Sequence, residues 1–165
     1  MGTSPLYLAM DKEQILTVPG RYDQIQVICK FVSAGALEAG LNKDDVFHVE
    51  LCCDEATTNI IEHAYGAEDL GPITVTYEIS EEAFTVTLQD DGRPFVPDDV
   101  PEPKLPKIGS TSQGEALDDI LNSLQIGGLG IHFMRQLMDE VYFSFNGARG
   151  NTLVLVKNLN PEDQE

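Results

Sequence analysis

Two neighbouring segments in which apolar and polar residues alternate constrain the fold of this chain most. They are "ITVTYEI" (residues 73–79) and "AFTVTLQ" (residues 83–89), and only the short link Ser80-Glu81-Glu82 separates them. Strict alternation is typical of half-buried strands. A short polar link between two such strands predicts an antiparallel hairpin.

The other elements follow from periodicity and from cap residues. Residues 21–39 have the 3.6-residue period of an amphipathic helix, and a second helix should begin after an N-cap at Asn42 and stop at Gly66. A third helix is predicted from Ile131 to about Met138. Strands are predicted around "LYLAM" and "QILTV", and "VYFSFN" with "NTLVLVK" should form a second hairpin.

Length and charge limit the function classes. A chain of 165 residues suits one domain, and its formal net charge of -18 opposes direct binding to nucleic acid. The sequence has neither an apolar run long enough to span a membrane nor the features of a secretory signal, so we expect a cytoplasmic protein. Cys29, Cys52 and Cys53 are interpreted as buried apolar residues.

Residues 96–126 form a long connection with a composition of its own. Four prolines are followed by "GSTSQG" and then by "EALDDILNSLQI", whose apolar spacing indicates a short helix. Connections of this length are usually functional or disordered. We interpret the segment as a lid.

The second predicted helix contains "ELCCDEATTNIIEHAYG". Glu55, Asn59 and His63 follow one another at i, i+4 and i+8 and should line up on one side. A carboxylate and a carboxamide one turn apart suit Mg²⁺, with the Asn59 amide oxygen as ligand and Glu55 holding a water or accepting a proton. A solvated helix face is the alternative.

The first hairpin ends in "DDGRPF". The alternation of residues 84–89 puts Asp90 in the phase of the core and Asp91 outside it. A buried carboxylate needs a donor, for example the amino group of a bound base. Gly92 allows a close approach that a side chain would block. An ordinary Asp-Gly turn in solvent is the alternative.

"GGLGIHFM" places glycines immediately before a helix. Backbone N–H groups at such a position can face an anion, and the helix dipole adds a favourable potential. We expect this segment to bind phosphate, and the alternative is that it acts as a flexible hinge.

The order of these three motifs resembles the GHKL ATP-binding fold, whose members include histidine kinases, gyrase and MutL. Three sequence segments are most similar to those of its short members, the RsbW-type anti-sigma-factor serine kinases: "DEATTNIIEHAY", "DDGRPF" and "GGLGIHFMRQLMDEV". The resemblance covers about residues 5–157. It implies a single α+β domain over residues 1–165 with the Bergerat fold, a two-layer sandwich of a mixed, mostly antiparallel sheet and helices on one face.

The resemblance also implies a site for ATP and Mg²⁺. In this family pattern Glu55 is the catalytic base and Asn59 is the magnesium ligand. Asp90 accepts a hydrogen bond from the adenine amino group. The remaining expected contacts are Gly92 beside the base, Phe95 near the pocket wall, Gly128, Gly130 and Ile131 at the phosphates, and Thr152 in support of the aspartate.

The implied function is an ATP-dependent serine/threonine protein kinase that acts as an anti-sigma factor. Its substrate would be a STAS-domain anti-anti-sigma protein, its other partner a sigma factor, and its assembly a homodimer. The alternative is a regulatory module that binds nucleotide and sequesters a partner without phosphoryl transfer. "QIGG" favours that alternative, because some family kinases have a basic residue before the glycine motif.

Overall fold

The structure is a computed structural model that describes residues 12–94 and 129–159. Its strands form one sheet in the order β1-β2-β3-β5-β4, and every pairing is antiparallel. The elements, in chain order, are β1 (Lys12–Pro19), a 3-10 turn (Tyr22–Gln24), α1 (Ile25–Ala39), α2 (Lys43–Asn59), a π-helical turn (Ile60–Tyr65), β2 (Pro72–Ile79), β3 (Ala83–Asp90), α3 (Leu129–Leu137), β4 (Glu140–Asn146) and β5 (Gly150–Asn158).

The predicted hairpin is confirmed, with the predicted phase. β2 and β3 pair so that Val75 lies opposite Leu88 and Tyr77 opposite Val86, and all four side chains are buried. The intervening threonines lie on the other face and are only partly buried. Because α1, α2 and α3 pack against the buried face, the protein is an α+β fold with helices on one side of an open sheet.

The helix boundaries follow the cap residues. Asn42 is the N-cap of α2, and its side-chain oxygen accepts a hydrogen bond from the Asp45 N–H at 2.8 Å. Gly66 ends the π-helical turn with φ 86°, a left-handed conformation that glycine adopts without a steric penalty. The first helix begins later than Arg21, because residues 22–24 form a 3-10 turn before α1.

Two predicted elements, the "LYLAM" strand and the lid at 96–126, lie outside the described residues. Within the described parts, no helix is both long and apolar enough to cross a membrane. The single-domain boundaries stay a prediction.

The three cysteines are buried, as the sequence predicted. Burial raises the pKa of Cys29 to about 12 and that of Cys52 to about 12, and it raises the pKa of Cys53 well above its usual range. The neutral thiol is therefore favoured at all three positions, and they pack as apolar side chains.

Gly35 allows α1 to lie close to the sheet. A Cβ at this position would stand 2.7–2.8 Å from three ring atoms of Tyr77. The Tyr77 ring is held by Phe31 and Phe84, whose centroids lie 4.8 and 5.6 Å from its own. The ring therefore has little room to move away from an added methyl group.

We expect Gly35→Ala to destabilise the protein by about 1–3 kcal/mol through overpacking, although alanine favours a helix by about 1 kcal/mol over glycine. Denaturant unfolding measures the effect. Gly147→Ala is the matched control, since a Cβ there meets nothing within 4 Å. A Gly35→Ala protein at least as stable as wild type would contradict this packing.

Candidate functional site

A cleft opens between the helices and the carboxyl end of β3. Its cavity volume is about 40 Å³, and part of the cleft is open to solvent. Most of its lining is apolar. The lining residues are Ala56, Asn59, Ile60 and Ala64 from α2 and the π-helical turn, Leu88 and Asp90 from β3, Met134 from α3, and Phe143, Ser144, Asn151, Thr152 and Leu153 from β4 and β5.

Asp90 is the buried acid of this cleft. Its side chain faces the helices and is 4% exposed, whereas Asp91 is exposed to solvent. The prediction that the alternation separates the two aspartates is therefore confirmed. A carboxylate in this position loses its hydration, and burial is the largest cause of its raised pKa.

Two hydrogen-bond donors offset part of the free-energy cost of burying the Asp90 carboxylate. The Asn151 amide donates to Asp90 Oδ1 at 2.9 Å, and the Gly92 N–H donates to the same oxygen at 2.8 Å. Both bonds lower the pKa of Asp90, against burial and the nearby Asp91. Oδ2 accepts no hydrogen bond from the described residues, so it is the oxygen available to a donor on a ligand.

Asn151 was not predicted from the sequence. The β3–β5 register places it directly opposite Asp90, and its amide also donates to the Arg93 carbonyl at 2.7 Å. The direct side-chain hydrogen bond to the aspartate therefore comes from Asn151, the residue before Thr152. Thr152 lies opposite Gln89 and lines the same cleft, so its role toward a ligand stays a prediction.

One signal in the sequence points to Asn151. Gly150 precedes it with φ 77°, and a Cβ on Gly150 would overlap the Asp90 carbonyl oxygen. A glycine at the start of a strand can thus mark the place where two backbones come very close. The residue after Gly150 is then the one that faces the end of β3.

Gly92 makes the close approach that was predicted, and its partner is the protein itself. A Cβ on Gly92 would lie 2.6 Å from the carbonyl carbon and oxygen of Ala64. The Arg93 N–H donates to the same Ala64 oxygen at 2.8 Å, and the Asp91 N–H donates to the Tyr65 hydroxyl at 2.9 Å. These contacts fix the turn after β3 against the π-helical turn. A contact of Gly92 with a base stays a prediction.

Asn59 and Glu55 lie one turn apart on α2. Asn59 is 8% exposed and lines the cleft, whereas Glu55 is partly buried near the start of α3. Burial, followed by the charges of Asp54 and Glu62, raises the pKa of Glu55 to about 7. A carboxyl group with such a pKa can accept a proton near neutral pH.

The expected alignment of His63 with Glu55 and Asn59 is wrong. The helix changes to a π-helical turn at Ile60, and the wider turn displaces the residues that follow. The His63 side chain is exposed and lies 4.0 Å from the Glu62 carboxylate. It is not part of the cleft lining.

The donor set fits a magnesium ion that is shared with a nucleotide. The Asn59 side chain makes no hydrogen bond to another residue of the described segments, and its amide oxygen is a suitable ligand type. Mg²⁺ commonly takes one or two protein ligands and completes its shell with phosphate oxygens and water. The Asn59 side chain therefore fits the role of one protein ligand to such an ion.

The glycine motif lies only partly in the described structure. Gly130 and Ile131 belong to the first turn of α3, and Ile131 is 4% exposed. Gly128 and Phe95 lie outside the described residues. The start of α3 approaches α2 closely, because Gly130 lies against Glu55.

We expect Asn151→Asp to destabilise the protein by about 2–4 kcal/mol at pH 8, because two carboxylates would face each other in a buried site. At pH 5 the loss should be smaller, since a shared proton restores a donor. Denaturant unfolding at both pH values measures this. Gln89→Glu adds the same charge on the exposed face of β3 and is the control; equal losses in both variants would contradict the Asp90–Asn151 contact.

Glu55→Gln should change how stability depends on pH. The pKa of about 7 in the folded protein exceeds the ordinary glutamate pKa of 4.5, so the stability that protonated Glu55 contributes is complete below pH 4.5 and is lost as pH rises through 7. The glutamine variant should therefore gain about 1–2 kcal/mol over wild type at pH 8, less than the full shift implies because Glu55 is partly solvated.

Thermal unfolding of the nucleotide-free and metal-free proteins at pH 5 and pH 8 measures this difference. Glu81→Gln, at an exposed position between β2 and β3, is the control. If Glu55→Gln and Glu81→Gln behave alike at both pH values, Glu55 has no raised pKa.

The comparison with known proteins agrees with this geometry. Residues 18–157 match the histidine kinase-like ATPase domain family. Serine-protein kinase RsbW of Bacillus velezensis is 30% identical over 162 residues, which cover 98% of this chain and 91% of that protein. The Listeria monocytogenes serotype 4a protein of the same name is 30% identical over 150 residues, or 91% and 89% of the two chains. This chain belongs to the histidine kinase-like ATPase domain family.

Proposed function

We propose that this chain is an ATP- and Mg²⁺-dependent serine/threonine protein kinase that acts as an anti-sigma factor in the cytoplasm. Its substrate is a STAS-domain anti-anti-sigma protein, and its second partner is a sigma factor. The enzyme class is supported by relatives named serine-protein kinase that align over most of this chain. The partners and the partner-switching role rest on the resemblance alone.

The observation that carries the proposal is the buried Asp90 in the apolar cleft. Adenine is flat and largely apolar, and it carries an exocyclic amino group that must find an acceptor when the base is buried. Asp90 Oδ2 offers that acceptor, while Asn151 and Gly92 hold Oδ1. A base with a carbonyl oxygen in place of the amino group would put two acceptors face to face.

The raised pKa of Glu55 favours a protein that transfers a phosphoryl group over one that only binds nucleotide. As general base, Glu55 takes the proton of the substrate serine hydroxyl, whose oxygen forms a bond to the γ-phosphorus while the bond to the ADP oxygen breaks. Its pKa of about 7 leaves a large ionised fraction at neutral pH. Asn59, one turn further along α2, would hold the magnesium ion, and the ion would supply positive charge against the phosphates.

The acidic surface is consistent with a protein partner rather than a nucleic acid. The chain carries 28 acidic and 10 basic residues. A field of this sign repels a phosphate backbone and attracts a basic patch on a partner. The proposed sigma factor would supply that patch.

We expect Asp90→Asn to weaken ATP binding by at least 100-fold, because an amide NH₂ can face the adenine amino group in place of an acceptor. Asp91→Asn, the neighbouring control, should bind within about threefold of wild type because Asp91 is exposed. Calorimetry with ATP and Mg²⁺ measures both affinities. The opposite order of effects would refute the adenine site.

We expect Glu55→Gln to slow phosphate transfer to the STAS partner by a factor of about 10²–10⁴, the usual contribution of a general base, while ATP affinity changes little. Transfer of labelled phosphate from ATP measures the rate. If wild type binds ATP with Mg²⁺ but transfers no phosphate, the regulatory module without phosphoryl transfer is the correct function. Equal transfer by wild type and Glu55→Gln would exclude Glu55 as the base.

A further inference from the structure

The side chain of Glu55 lies against the first turn of α3. The residue that it contacts there is Gly130, which has no side chain. A Cβ built on Gly130 would come closest to Glu55 Cγ and would lie 2.5 Å from Oε1 and 2.8 Å from Cδ. Real Cβ atoms almost never approach other heavy atoms this closely. The absence of a side chain at 130 is therefore what allows Glu55 its present conformation.

The nearest atom decides how costly a side chain at position 130 would be. A carboxylate oxygen at the end of a glutamate can move by rotation of the last torsion alone, whereas Cγ is the second atom of the side chain. To clear Cγ, Glu55 must change its first torsion angle, or α3 must move away from α2. Either response would shift the carboxylate by more than a general base tolerates.

The surroundings of Glu55 limit these responses further. The small cavity beside it is lined by Leu51 and Cys52 from α2 and by Phe133 and Met134 from α3. Met134 is 1% exposed and belongs to the core, so α3 cannot shift without disturbing the packing under the cleft. The glutamate is thus placed by a packed contact between two helices.

We propose that Gly130 is a positioning residue for the catalytic base: it leaves the space in which Glu55 holds its working conformation. The proposal deepens the proposed kinase function and rests on it for the role of Glu55. It differs from a phosphate-binding role for the glycine motif, because a backbone N–H group is retained by alanine whereas the space is lost. The two roles predict different consequences of the same substitution.

The first test is a double-mutant cycle on the nucleotide-free protein. Gly130→Ala should lower the midpoint of thermal unfolding by roughly 2–10 °C in wild type and in Glu55→Gln, which has the same shape as glutamate. In Glu55→Ala, which lacks Cγ, Cδ and Oε1, the same substitution should cost much less. An equal cost in all three backgrounds would overturn the contact between Gly130 and Glu55.

The second test separates positioning from phosphate binding. In the full chain with ATP, Mg²⁺ and the STAS partner, Gly130→Ala should lower kcat by at least tenfold while the Kd for ATP stays within about threefold. Gly147→Ala is the matched control. A weaker ATP affinity with an unchanged kcat would overturn the proposal in favour of phosphate binding. If wild type transfers no phosphate, the kinase function fails, and the unfolding cycle still decides whether the contact exists.

Discussion

The buried carboxylate of Asp90 is the constraint on which the rest of this site depends. An acid at the end of β3 that is 4% exposed needs donors, and the fold supplies them from two directions, Gly92 in the following turn and Asn151 on the neighbouring strand. Both residues donate a hydrogen bond to the same carboxylate oxygen, Oδ1. The other oxygen accepts no hydrogen bond from the described residues, and Asp90 lines a mostly apolar cleft.

Glycine allows the close approaches that assemble this arrangement. Gly92 brings the turn after β3 onto the π-helical turn at Ala64, and Gly150 brings the start of β5 onto the backbone of Asp90. Gly130 lets the first turn of α3 lie against the side chain of Glu55. Asp90 and the proposed base Glu55 are therefore placed by close approaches that glycine permits, since a side chain at each of these three positions would occupy the space.

Local patterns predicted the hairpins, the helices and the burial of Asp90, and the family resemblance supplied the fold. Alternation over residues 73–90 predicted the hairpin and the inward phase of Asp90, because a strand has a period of two residues. Asn151 was missed because the register of β5 against β3 depends on pairing between distant segments. His63 was misplaced because periodicity assumes a regular helix, and a π-helical turn begins at Ile60.

The proposed contact between Asp90 and the adenine amino group is tested by comparing the binding of ATP with that of purine riboside triphosphate, which lacks only this amino group. Calorimetry with wild type and Asp90→Asn completes a cycle between the protein group and the ligand group. Loss of the amino group should weaken binding to wild type by about tenfold or more and leave binding to Asp90→Asn almost unchanged. Equal affinity of wild type for the two nucleotides would contradict this contact.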